Sequence, residues 1–67
     1  MHDPPLSNRE IIIEFVPLGA YVKVSAMDVE TLTEISIQGP AGASEETLKH
    51  NALKRLSYVL KKKGLIP

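Results

Sequence analysis

The sequence predicts an α+β domain in the order β-β-β-α, a three-stranded antiparallel meander packed on one C-terminal helix. Three observations point there. Apolar and polar residues alternate with a period of two in three consecutive stretches between Glu10 and Gln38, the spacing of half-buried strands. After a Gly- and Pro-containing break at 39–43, the apolar spacing changes to that of one helix face and holds to Lys63. The breaks between the stretches are short, and short connections join neighbours that pair antiparallel.

Residues 1–8 are polar, contain proline and have no periodicity, which predicts a flexible tail ahead of a single domain over 9–67. Residues 10–16 (EIIIEFV) are β-branched and aromatic, with Ile11, Ile13 and Phe15 on one face and Glu10, Ile12, Glu14 and Val16 on the other. Pro17 and Gly19 are read as the stop and turn. Residues 20–27 (AYVKVSAM) place Ala20, Val22, Val24 and Ala26 on the apolar face and Tyr21, Lys23 and Ser25 opposite. Asp28 opens a turn through Thr31, since its carboxylate can bond its own backbone. Residues 32–38 (LTEISIQ) supply the third strand, with Thr33, Ile35 and Ile37 inward, and 39–43 (GPAGA) are read as a loop.

Ser44 is a good N-cap, because its hydroxyl can accept from an orphan backbone N–H. Glu45 and Glu46 suit the positive helix end, and Lys61, Lys62 and Lys63 suit the negative one. Between them, Leu48, Ala52, Leu53, Leu56, Val59 and Leu60 fall within roughly 0–140° of a helical wheel, one broad apolar stripe. Gly64 fits the left-handed position past the end, with Leu65 returning to Leu60 in a Schellman arrangement.

Bulk properties narrow the function classes. A chain of 67 residues is one small domain, and such domains bury only about 60% of their unfolded surface. Small folds are commonly reinforced by disulfides, a metal or oligomerisation. The chain has no Cys and two His, one of them in the tail, so disulfides and a structural zinc site are not expected. Oligomerisation remains, or an efficient core from the 43% of residues that are apolar. No apolar run exceeds three residues, as in Ile11–Ile13, so neither a signal peptide nor a membrane span is expected. Together these predict a soluble, cytoplasmic protein without a cofactor.

The segments EFVPLGAYVKVSAMD, ISIQGPAG and ALKRLSYVLKKKG extend the reading. Phe15 in the first strand, Val22-Lys23-Val24 in the second, the Gly39-Pro40 pair and Leu56-Ser57-Tyr58-Val59-Leu60 in the helix together resemble a family of short bacterial proteins known as a domain of unknown function. The resemblance covers about residues 10–63 and implies the same β-β-β-α fold. It implies no activity. Members are sometimes labelled serine hydroxymethyltransferase, a label that does not suit this chain: 67 residues cannot build such a pyridoxal-phosphate fold, and nothing marks a cofactor lysine.

The charges are the one pointer to a partner. Residues 1–48 hold all eight acidic and two basic residues (−6), and residues 49–67 hold six basic residues and no acidic one (+6). On the wheel His50, Lys54 and Lys61 lie near about 200–240°, and Arg55, Tyr58 and Lys62 near about 280–340°. These six are the expected partner-facing residues. With a protein, Tyr58 is the anchor and the charges form a rim; with nucleic acid, the cations hold phosphate and Tyr58 stacks. A short βββα domain is also similar to plant AP2-type and integrase arm-binding domains, which read DNA with the sheet, but the outward residues here (Glu10, Glu14, Lys23, Glu34) are mixed or acidic. The zero net charge weighs in the same direction. The bland reading is a solvated face that complements the helix dipole.

Ile12, Val16 and Tyr21, apolar among charges on the outward sheet face, are the expected self-association residues. The acidic sheet half and basic helix half can also attract between copies, head-to-tail or two-fold. GPAGAS before the helix lacks the Lys-Ser/Thr of a phosphate loop and is read as loop and N-cap. Glu10, Glu14 and Glu34 are too solvated for acid–base work, and no nucleophile elbow accompanies Ser25, Ser36, Ser57 or His50. The expectation is a non-catalytic protein-interaction module, a homodimer. A nucleic-acid-binding protein using the basic helix face is the alternative, and neither a membrane nor a small-molecule substrate is expected.

Overall fold

A computed structural model describes Leu6 and residues 8–67. Strands β1 (Ile11–Leu18), β2 (Tyr21–Asp28) and β3 (Thr33–Pro40) form one antiparallel sheet in the order β1-β2-β3, followed by helix α1 (Glu45–Lys62). Of the tail expected over 1–8, all but Leu6 and Asn8 lies outside the described residues, and Leu6 packs against the core.

The alternation sets the layers. Across the sheet, the rows Ile13–Ala26–Ile35 and Phe15–Val24–Ile37 face α1. Val24 and Ala26 meet Leu48, Ala52, Leu56 and Leu60 in a fully buried cluster, with Ile66 packed against its margin. The helix lies over β2 and β3, and β1 extends to one side. Leu53, expected in the stripe, is only half-buried, because it lies at the edge of the apolar arc.

The helix ends follow the sequence. Ser44 Oγ accepts from the Thr47 N–H at 3.1 Å. At the other end the Leu65 N–H donates to the Leu60 carbonyl (2.9 Å) and the Gly64 N–H to Lys61 (3.0 Å), with Gly64 at φ 75°, the paired bonds of a Schellman motif.

The strand ends differ from expectation. β1 runs through Pro17 to Leu18, and β3 takes in Gly39 and Pro40, which the sequence reading placed in a loop. Both prolines sit on edge strands, where a missing N–H costs no ladder bond on the solvent side. Gly39 is in the strand for another reason: a Cβ there would overlap Leu48 Cδ2. The first turn of α1 crosses the sheet at this point, and only glycine allows the approach. The β1–β2 connection is then Gly19-Ala20 alone, with φ 67° at Gly19, the two-residue pattern with glycine first. Leu32, read as strand, instead closes the β2–β3 turn at φ 59° and is 72% exposed. A leucine in this left-handed region costs about 1–2 kcal/mol.

Candidate functional site

Three regions carry side chains beyond the core. The first is the outer face of α1. His50, Lys54, Arg55, Tyr58, Lys61 and Lys62 are all exposed there, Tyr58 to 53%. The Arg55 guanidinium carbon stands 5.6 Å from the Tyr58 ring centroid and Lys62 Nζ 5.7 Å from it, so the ring is flanked by two cations. This follows from helical spacing: positions 55 and 62 lie one turn before and one after 58. Such contacts are worth about 0.5–1 kcal/mol at an exposed site and hold the ring in place. Among the described residues, none of these cations forms an ion pair; the ion pairs are those of Arg9 with Asp28 and Glu30. The positive face of α1 is therefore not neutralised by the acidic sheet of its own chain.

The second region is the sheet face turned away from α1. Its rows read Ile12–Met27–Glu34, Glu14–Ser25–Ser36, Val16–Lys23–Gln38 and Leu18–Tyr21–Pro40. Ile12 (51%) and Tyr21 (58%) are exposed, as is Leu18, while Val16 is half-buried among its neighbours. Leu18 and Met27 join the three residues expected here. Leu18 lies beyond Pro17, which reads as a strand end in the sequence, yet the period-two pattern continues through the proline. Ser25 is buried at the centre of this face, while Glu14 and Ser36, its partners in the row, are exposed on the two edge strands.

The third region was not anticipated as a site. Asp28, with no exposed side-chain surface, accepts from Arg9 Nε (3.0 Å) on Oδ1 and from Arg9 Nη2 (2.8 Å) on Oδ2. The Thr31 N–H (3.1 Å) and hydroxyl (2.7 Å) also donate to Oδ2. The Thr31 and Thr33 hydroxyls stand 2.9 Å apart. The turn-capping role expected of Asp28 is present, but the larger interaction is with Arg9, 19 residues away. Sequence offers little signal for such a pair beyond an isolated arginine at the strand entrance. Hydrogen bonds from Arg9, together with those from Thr31, lower the Asp28 pKa from 3.8 to about 2 against the cost of burial. The fork-to-carboxylate pair, with the N–H and hydroxyl of Thr31 as further donors, is a structural contact that locks the chain entrance to the far end of β2.

Among the described residues no group of three or more His, Asp or Glu is placed to hold a metal, and no helix is long and apolar enough to cross a membrane. Glu10, Glu14 and Glu34 share the open face without drawing together around a common point: Glu14 and Glu34 lie on opposite edge strands, with β2 between. No curated protein and no solved structure matches the chain. A family model does match, over residues 8–63, from Asn8 before the sheet through the whole of α1, so the chain belongs to the family described as Domain of unknown function (DUF6898).

Proposed function

We propose that this domain is a non-catalytic protein-interaction module that self-associates through the open face of its sheet. The observation that carries the reading is the one-sided cover of the sheet: α1 lies on one face only, and the other presents Ile12, Leu18 and Tyr21 to solvent among charged residues. Two further features support it. Among the described residues nothing pairs with either outer edge of the three-stranded sheet, and a domain of this size without cysteine has no disulfide to reinforce it. Absence of cysteine fits a reducing, cytoplasmic setting. A homodimer is the smallest such assembly. Light scattering across a concentration series tests the reading: the mass should rise above the 7.4 kDa monomer with concentration and stay at it for Ile12→Lys and Tyr21→Lys. A wild-type protein that remains monomeric throughout rejects it.

A second reading is nucleic-acid binding by the outer face of α1. It is favoured by Tyr58 standing between Arg55 and Lys62, an aromatic platform amid cations. Titration of short DNA and RNA at physiological salt should then shift amide signals of residues 49–63 alone, and Lys54→Glu should abolish the shifts. No shift at that salt removes this reading.

A further inference from the structure

Among the described residues, the outer face of α1 and the open face of the sheet are the two uncovered surfaces of a two-layer fold, and they point in opposite directions. Their charges are opposite as well. The helix face carries Lys54, Arg55, Lys61 and Lys62 without an ion pair among the described residues. The sheet face carries Glu14 and Glu34 against Lys23, with Glu10 exposed at its margin. Tyr58 projects from the helix between two cations. On the sheet, Ser25 is buried in the central strand beside the exposed Ser36, with Glu14 in the same row and Glu34 in the next.

We propose that copies of this chain stack helix on sheet, the Tyr58 face of one seated on the Ser25–Ser36 row of the next, with Arg55 and Lys62 directed at Glu14 and Glu34. This rests on the self-association reading and specifies which surfaces meet. The opposed directions of the two surfaces decide the symmetry. A two-fold dimer placing each helix on the other's sheet needs both surfaces on one side of the molecule, and here they lie on opposite sides. The contact is therefore heterologous, and each added copy leaves one helix face and one sheet face free for the next. The two-fold alternative considered from the sequence does not fit this geometry. Screening by salt weakens such a contact, whereas an apolar sheet-to-sheet dimer is little affected.

Charge reversal and mixing test the proposal. One variant carries Glu14→Lys and Glu34→Lys, the other Arg55→Glu and Lys62→Glu, all at exposed positions. Sedimentation equilibrium of the wild type should show species beyond a dimer, with dissociation constants rising about tenfold or more as sodium chloride is raised from about 50 to about 500 mM. Each variant alone should be monomeric, and their equimolar mixture should associate again, since every helix-to-sheet contact between unlike copies is once more of opposite sign. Recovery on mixing requires both variants to be folded, so it excludes loss through misfolding. Association of the helix-reversed variant alone at wild-type strength overturns the proposal in favour of sheet-to-sheet pairing and leaves self-association standing. A mixture that stays monomeric while the wild type associates also overturns it. A wild type that is monomeric at every concentration removes both readings.

Discussion

The two faces of the sheet are built on one register and differ in how tightly their contents are specified. On the covered face, the row Phe15–Val24–Ile37 meets Leu56 and Leu60 of α1 in a dry cluster, and even the glycine at position 39 is set by the approach of Leu48. On the open face, one strand position removed, Val16–Lys23–Gln38 mixes an aliphatic side chain, a cation and an amide. Backbone pairing is shared, so the contrast isolates what a covering layer does. Where a second layer packs, volume and shape are constrained at every position. Where none packs within the chain, side chains are free to be chosen for something outside it.

Substitutions sharpen this contrast, and the largest effect belongs to the covered face. Leu56→Ala empties the centre of a core in a domain of only 67 residues and should cost about 3 kcal/mol, read as a lower urea midpoint with an unchanged slope. Next comes the end of the sheet beyond the core. Asp28→Asn keeps the shape but removes the charge that holds Arg9, and should cost about 2 kcal/mol near neutral pH. Its pH signature is specific. The folded-state pKa lies below the unfolded one, so the stability from Asp28 is complete above 3.8 and is lost as pH falls through about 2. Acid titration should show the wild type losing stability across that window, and the Asn variant, already lacking the contribution, should lose less.

Gly39→Ala should follow at about 1–2 kcal/mol, because the added methyl forces Leu48 and the start of α1 away from the sheet. The smallest expected change is on the open face: Ile12→Lys should alter unfolding free energy by less than about 0.5 kcal/mol when measured at concentrations where the protein is monomeric. If that variant unfolds as readily as Leu56→Ala, the contrast between the faces breaks down, and the open face is part of the folding core.

Much of this architecture can be read along the chain, and the parts that cannot share a cause. The alternation Ile11-Ile13-Phe15 and Val22-Val24-Ala26, the Ser44 cap and the Gly64 terminator are local signals, each complete within a few residues. Pro17 and Pro40 misled because a proline's meaning depends on whether its strand is central or at an edge, which is a property of the assembled sheet. Gly39 looks like loop punctuation until Leu48 is placed above it. The exposed residues were nameable from the wheel and the alternation. The flanking of Tyr58 by Arg55 and Lys62 also follows from helical spacing; that this arc lies on the side of α1 away from the sheet emerged only with the packed helix.

By itself, then, the sequence determined the element order, the residues assigned to each face of the strands and helix, and the helix ends, because these depend on backbone periodicity and on hydrogen bonds between near neighbours. Tertiary structure alone decided the Arg9–Asp28 lock, the close crossing at Gly39, and the placing of a basic and an acidic surface on opposite sides of the domain. Each of these is a relation between segments far apart in the chain, and it comes into being only when burial of the shared apolar cluster brings the segments together.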